Sequence, residues 1–295
     1  MIGKVLYGHL QGCVELNPFL AEYNGKMAIH NQEAPADTDP LWGPGSQYGR
    51  IIIELNMTDD PERGIAGSLN VHYYCEKTEQ YPEDVEPVIR PLIDGYFFRS
   101  ENITFSADWK TSTYFTTPEE KIVGVSLTYN LIAYPKQATM APDPIALINT
   151  WSSTELSELL DKQLYVIGSD HVPEVFKPDD DHPAIYWRVT GIAKCNWIPD
   201  TWAASWQTTS LRGHILTPGN DDASFFIARV IDNVLTNKSR LINDDMSMFV
   251  DRNNRINMSA DPQRVGQITI NGTYGIPNIQ PDVPKMNNIS MDPNV

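Results

Sequence analysis

The chain has 295 residues, of which 38 are acidic and 22 basic, for a formal net charge of −16 at pH 7. A protein that binds nucleic acid through its phosphates needs clustered Lys and Arg, so this balance argues against that class. The length accommodates two domains of about 140 residues, each large enough to bury a core without disulfides.

The first predicted element is a short amphipathic helix over residues 5–16, with its apolar face formed by Leu6, Leu10, Cys13 and Val14. It ends before Asn17-Pro18, because proline disfavours helical backbone in the residue that precedes it. Residues 23–49 are polar and rich in proline and glycine, which indicates a loop. Two strands follow at residues 50–57 and 68–75, joined by a turn at residues 59–62.

Residues 82–96 form the clearest predicted helix. They begin with acidic residues, which a helix N-terminus favours, and their apolar face comprises Val85, Ile89, Leu92, Ile93 and Tyr96. Pro87 and Pro91 oppose this assignment, since an interior proline costs about 3 kcal/mol. Residues 220–235 repeat the same pattern without proline, which favours the helix in both places.

A closing strand is predicted up to Pro135, because Val123, Val125, Leu127, Tyr129 and Leu131 alternate with small or polar residues. The connection that precedes it, residues 108–120, is interpreted as a loop and carries Trp109, Tyr114 and Phe115. These aromatic residues are candidates for a subunit interface.

The same elements recur in the second half in the same order, which indicates an internal repeat. The aligned blocks are residues 51–55 with 185–189, 68–73 with 210–215, 93–95 with 231–233, 134–135 with 276–277, and Val125, Leu127 and Leu131 with Ile268, Ile270 and Tyr274.

The second copy is predicted to open with a helix at Ser152, since Ser152 and Glu155 form a capping box ahead of a leucine-rich face. Its strand connection, residues 191–209, is longer and crowds together Trp197, Trp202 and Trp206. Such a cluster either completes the core of its own hairpin or marks a subunit contact.

The predicted fold class is therefore α+β, with two tandem copies of a mixed or antiparallel β-sheet domain flanked by helices. We expect a first domain over residues 1–137, a linker over 138–150, a diverged second copy over 151–277, and an extended or disordered tail over 278–295.

The sequence offers little catalytic chemistry. The acidic run of residues 179–182 lacks the glycine and distal glutamate of a calcium loop, so we expect a solvated turn there. His72 and His214 are equivalent strand residues without an adjacent nucleophile, which favours structural roles. No HExxH, GxSxG, Walker or dinucleotide-binding motif is present. We predict no catalytic, cofactor-binding or metal-binding residue and no enzymatic activity.

Cys13, Cys75 and Cys195 are odd in number and widely spaced, so they predict buried thiols in a reducing compartment rather than disulfides or a zinc site. No stretch approaches the length of a membrane-spanning helix, and the N-terminus lacks the features of a signal peptide. We expect no membrane association.

Several segments resemble the tail-terminator, or tail-completion, proteins of long-tailed bacteriophages and phage-tail-like particles. The resemblance lies in residues 83–87, 92–98, 108–110, 114–116 and 121–129, and it extends to the second half only through the internal repeat. Such proteins combine a mixed sheet with flanking helices and assemble into rings, commonly hexamers, that stop growth of the tail tube.

The resemblance implies a structural virion protein at the head-proximal end of the tail, assembled in the host cytoplasm. Its implied partners are further copies of the chain, the tail tube protein, head–tail connector or neck proteins, and a sheath if the tail contracts. DNA would pass through the ring without specific binding. Three chains complete a six-fold ring if each copy fills one position, and six chains do so if only the first copy does. We favour six chains.

Two alternatives stay open. One is a neck or head-completion protein, which would bind a portal complex instead of tail tubes. The other is a hydrolase acting on a polysaccharide or peptide, with an acidic cleft near residues 179–182 and raised carboxyl pKa values.

Overall fold

The computed structural model describes residues 2–45, 47–78, 80–117, 121–137, 142–219, 221–252 and 254–278. Over these residues the chain forms two α+β domains, each built on a seven-stranded sheet. This confirms the predicted fold class. Residues 279–295 of the predicted tail and residues 138–141 at the start of the predicted linker lie outside the described residues. Within the described part of the chain, no helix has the length and apolar character needed to cross a bilayer.

The helices of the first domain are α1 (Ile2–Gln11) and α2 (Pro82–Ile89), with 3-10 turns at Val14–Leu16 and Arg90–Leu92. Its strands are β1 (Glu22–Tyr23), β2 (Lys26–Met27), β3 (Ile29–Asn31), β4 (Arg50–Asp60), β5 (Gly64–Glu76), β6 (Tyr96–Ser100), β7 (Ile103–Thr116) and β8 (Ile122–Pro135). The first domain contributes six strands to its main sheet in the order β6-β7-β8-β5-β4-β3, in which β3 is parallel to β4 and the other neighbours are antiparallel. The seventh strand, next to β6, comes from the second half of the chain.

The helices of the second domain are α3 (Pro144–Trp151), which continues through a π-helical segment (Ser152–Leu156) into α4 (Ser157–Leu160), and α5 (Asp221–Lys238). Its strands are β9 (Tyr165–Ile167), β10 (Val175–Phe176), β11 (Ala184–Lys194), β12 (Ala204–Leu216), β13 (Arg240–Ile242), β14 (Ser247–Val250), β15 (Arg255–Ile256) and β16 (Ile268–Pro277). The order β13-β14-β16-β12-β11-β9 is that of the first sheet, including the parallel pair β9 and β11.

Each sheet buries one face under its helices, because apolar side chains alternate along the central strands. In the first domain Ile51, Ile53, Val71 and Tyr73 pack with residues of α1 and α2 in one core, and the second domain has a corresponding core. We call the opposite side of each sheet its outer face. Cys13, Cys75 and Cys195 are buried free thiols, as predicted.

Strand pairing agrees with the predicted repeat at the central hairpin. Ile53 lies opposite Val71, and the aligned residues Trp187 and Gly213 lie opposite each other in the second sheet. The alignment of the closing strand is wrong by two residues. Val71 pairs with Leu127 and Gly213 pairs with Ile268, so Ile268 corresponds to Leu127 rather than to Val125. A shift of two preserves the buried face, which is why the hydrophobic pattern does not reveal it.

The helix boundaries need correction. α1 ends at Gln11 and Val14 is exposed, because the chain turns into a 3-10 segment that buries Leu16 instead. α2 includes Pro87 but ends at Ile89, and Pro91 lies in a 3-10 turn, whereas α5 continues to Lys238. The alignment of residues 93–95 with 231–233 therefore joins a turn to a helix interior.

The predicted linker of residues 138–150 and the start of the second copy at residue 151 are also wrong. α3 begins at Pro144 and is capped by Asp143, whose side chain accepts a hydrogen bond from the Ile145 amide at 2.9 Å. Ser152 is therefore not an N-cap. It is buried within the helix, where its hydroxyl accepts a hydrogen bond from the Trp187 indole at 2.9 Å.

Three predicted loops contain strands. Residues 23–49 hold β2 and β3 and the end of β1, and residues 108–116 belong to β7. The connection predicted at residues 191–209 is shorter in the structure, because β11 extends to Lys194 and β12 begins at Ala204.

Candidate functional site and interaction surfaces

The two domains meet in an apolar cluster, here called the junction. Phe97, Ile132 and Tyr134 on the outer face of the first sheet pack against Ile167, Val172, Phe176, Ala184, Tyr186 and Leu216 of the second domain. Tyr134 meets Tyr186 edge to face at 5.2 Å between ring centroids, and Phe97 stacks on Phe176 at 5.1 Å. Aromatic pairs of this geometry contribute about 0.5–1.5 kcal/mol each beyond the burial of their area.

Strand pairing also crosses the junction. β10 belongs to the second half of the sequence, but it pairs antiparallel with β6 and so forms an edge strand of the first sheet. The Arg99 amide extends this pairing by donating to the Glu174 carbonyl at 2.7 Å. The two domains are consequently joined by backbone hydrogen bonds as well as by side chains.

Arg63 is the polar centre of the junction. It lies at the turn between β4 and β5, yet only 7% of its surface is exposed, because the turn is inserted against the second domain. Its guanidinium donates to the carbonyls of Ala133 at 3.0 Å, Arg264 at 3.1 Å and Gln263, and lies 4.7 Å from the centre of the Tyr134 ring. A buried charge is tolerated here because carbonyl oxygens surround it.

His214 lies beside Arg63 and is held neutral. Burial, and then the charge of Arg63, lower its pKa to about 3 from an ordinary value of 6.5. Its Nδ1–H donates to the Pro262 carbonyl at 2.8 Å, and its Nε2 accepts from Arg188 at 3.2 Å. Protonation would remove that acceptor, so the histidine has a structural role, as predicted from its strand position.

Charged contacts lie around the apolar cluster. Arg188 is 3.5 Å from Glu62, and Lys136 is 2.9 Å from Asp170. Asp108 accepts a hydrogen bond from the Gln263 side chain at 2.9 Å, but burial outweighs that bond and raises the pKa of its carboxyl group.

The six aromatic residues proposed as interface candidates do not form one patch. Trp109 and Tyr114 lie on the helix side of β7, where the Arg90 guanidinium is 4.6 Å from the Trp109 ring and the Tyr114 hydroxyl donates to Glu86 at 2.7 Å. That hydrogen bond raises the pKa of Tyr114 to about 12. Both residues are partly exposed, and they connect the sheet to α2 and to the 3-10 turn that follows it.

The other four candidates lie elsewhere. Phe115 is on the outer face of the first sheet, 5.2 Å from Tyr74, where it covers Gly124. Trp197 and Trp202 are exposed in the loop between β11 and β12, and Trp206 follows on β12, opposite Gly275 of β16. The loop tryptophans do not complete the core of their own hairpin, and a role for them in a subunit contact stays a prediction.

Sequence reasoning missed Ile242 and Phe249, two exposed apolar residues on the same outer face as Trp206. A signal was present, because Phe249 lies between Met248 and Val250, whose side chains are buried on the opposite face.

The acidic run near Asp179 forms a turn. Asp179 accepts hydrogen bonds from the backbone of Asp181 at 2.9 Å and of His182 at 2.7 Å, and its carboxylate is 2.9 Å from the His182 ring. The hydrogen bond from the His182 side chain is the main cause of the lowered pKa of Asp179. A general acid at this position would need a raised pKa instead. Among the described residues, no group of three or more His, Cys, Asp or Glu side chains could hold a metal ion.

Comparisons of the chain with models of known protein families, with curated proteins and with solved structures found no significant match.

Proposed function

We propose that this chain is a structural virion protein that forms a ring on the end of a tail tube and connects the tail to the head or neck. The observation that carries the proposal is the junction, in which one copy of a repeated domain uses its hairpin turn to contact a different surface of the next copy. The resemblance of residues 83–129 to tail-terminator proteins supports the same role.

A contact between two unlike surfaces of the same domain is heterologous, and its repetition produces rings when the rotation closes. The junction is a contact of this kind between two copies in one chain. On this proposal the copies continue around a ring of three chains with pseudo-six-fold symmetry, or six chains carry one copy each in the ring and the second copies form an adjoining layer.

The net charge of −16 suits a ring through which DNA passes. A duplex gains affinity from protein largely by releasing counterions to Lys and Arg, and an acidic lumen offers little of that gain. The proposed partners are the tail tube protein and the head–tail connector or neck proteins, with the sheath added in a contractile tail.

The proposal is tested by mixing purified protein with isolated tail tubes and, separately, with portal complexes, followed by negative-stain imaging. We expect density capping one end of the tubes. Binding to portal complexes alone would favour the neck or head-completion role, and binding to neither would reject both.

A further inference from the structure

We propose that the second domain docks on the first domain of another copy of this chain, through a tip patch on the second domain and a base patch on the first. The tip patch comprises Trp202, Trp206, Ile242 and Phe249, and the base patch comprises Ile52, Glu54, His72 and Tyr74. This inference assigns the surfaces of the proposed ring and in that sense rests on the proposed function.

The junction provides the template for this contact. In it, the outer face of the first sheet, near the turn between β4 and β5, covers the outer face of the second sheet at Tyr186, His214 and Leu216. By strand register, Tyr186, His214 and Leu216 correspond to Ile52, His72 and Tyr74 in the first sheet. The base patch of the first domain is therefore equivalent to the surface that the junction buries in the second domain.

The base patch is open in the first domain. Ile52, His72 and Tyr74 are only partly buried, whereas their equivalents at the junction are almost fully buried. The side chains lie on one outer face, since Ile52 pairs directly with His72 and the buried residues Ile51 and Ile53 point to the core. His72 lies 3.4 Å from Glu54, so the patch has both an apolar and an acidic part.

The tip patch corresponds to the part of the first domain that enters the junction. Phe249 pairs with Thr273 in the second sheet, and the equivalent pair in the first sheet is Ser106 with Ile132. Ser106 and Ile132 are both buried at the junction. In the second domain Thr273 is also buried, but apolar side chains around it are exposed, with exposed fractions of 45% for Phe249, 63% for Ile242 and 80% for Trp202. Exposed aromatic side chains of this size are typical of protein contact surfaces.

The edge of the second sheet gives the same indication. β6 in the first sheet pairs with β10, but among the described residues its equivalent β13 is an edge strand of the second sheet. An exposed strand edge favours the addition of another strand. A repeat of the junction would place a segment from the first domain of the other chain along β13.

The charges at the proposed contact are reversed but remain complementary. At the junction Glu62, beside the turn, contacts Arg188 of the second sheet. Glu54 occupies the position equivalent to Arg188, and Arg240, whose guanidinium lies 5.2 Å from the centre of the Phe249 ring on the outer face, can face it. A cation of the tip patch then meets an acidic residue of the base patch, which also disfavours docking on the wrong surface.

The test uses two full-length variants. The tip variant carries Trp202→Ser and Phe249→Ser, and the base variant carries Ile52→Thr and Ser126→Arg, which places a bulky cation opposite His72 on the outer face. We expect each variant alone to associate at least about 100-fold more weakly than the wild type. Mixed in equal amounts, they should form a heterodimer and no larger species, because each supplies the surface that the other lacks.

Leu159→Ser, an equally exposed apolar position on α4, is the matched control and should assemble as the wild type does. Circular dichroism and thermal melting confirm that the variants fold. As a measurement that needs no variant, cross-linking of mixed light and heavy-isotope wild-type chains should join Lys194 of one chain to Lys77 or Lys121 of another.

The proposal is overturned if the tip variant assembles normally, if the mixture contains no heterodimer, if the interchain cross-links do not include these lysines, or if the wild type is monomeric. Normal head-to-tail assembly without binding to tail tubes would reject the proposed function and leave this inference intact. If the wild type caps tube ends and the tip variant still assembles normally, this inference is rejected and the proposed function stands.

Discussion

Replacing Arg63 by Ala is expected to destabilise the protein by about 3–5 kcal/mol. The substitution removes the charged donor for the carbonyls of Ala133, Gln263 and Arg264 at a site that excludes water. A hydrogen bond to a charged group contributes about 1.5–3 kcal/mol, and bonds made by one guanidinium are not additive, so the range is below the sum of three.

The effect of Arg63→Ala should also appear as a loss of cooperativity, since two of the three acceptors belong to the other domain. In urea denaturation, followed by tryptophan fluorescence and circular dichroism, we expect the wild type to unfold in one transition and the variant in two. Arg229→Ala, on the exposed side of α5, is the control and should change stability by less than about 0.5 kcal/mol. A variant that loses less than about 1 kcal/mol and keeps a single transition would refute this account of the junction.

Three further predictions concern buried groups. The pKa of His214 is about 3 in the fold and 6.5 in the unfolded chain. The stability that the neutral His214 contributes is therefore fully present above pH 6.5 and is lost as the pH falls toward 3. His214→Gln should therefore show a flatter decline of Tm in acid than the wild type. The raised pKa of Asp108 has the opposite effect, because the fold disfavours its charged form. Asp108→Asn should therefore raise the Tm at neutral pH, and this gain should disappear below the ordinary aspartate pKa. Gly124→Ala should cost about 2 kcal/mol in urea titrations, because a Cβ there would lie 2.2 Å from the Tyr73 carbonyl oxygen, whereas Gly191→Ala, in open space, should cost much less.

The central strands could be predicted from the sequence because burial of one face leaves a clear alternation. Residues of β4, β5 and β8 contribute to the core at every second position, and the predicted segments lie within the observed strands. The same regularity makes the repeat visible, since a core of this kind constrains both copies in the same way.

β7 could not be recognised in this way. Its pairing with β8 shifts register between Trp109 and Thr111, and an irregularity of this kind reverses which side chains face the core. The strand is also largely exposed beyond Asp108, so polar residues occupy both of its faces. Sequence periodicity therefore indicates a loop where the structure has a long strand.

The junction could not be predicted either. Arg63 follows an acidic, proline-containing turn that would ordinarily be exposed, and only contact with the second domain buries it. β10 consists of Val175 and Phe176 alone, which is too short for any periodic signal. Contacts between distant parts of the chain leave no local pattern. Of the tip patch, the sequence indicated only the two tryptophans, Trp202 and Trp206.

The central claim is that two copies of one domain continue, from chain to chain, the heterologous contact already made within the chain. Native mass spectrometry of the purified protein, combined with symmetry analysis of negative-stain images, tests it most directly. The claim predicts a closed ring of three chains, whose six domains give pseudo-six-fold features. A monomer at the highest soluble concentration, or a dimer related by a simple two-fold axis, would contradict the claim.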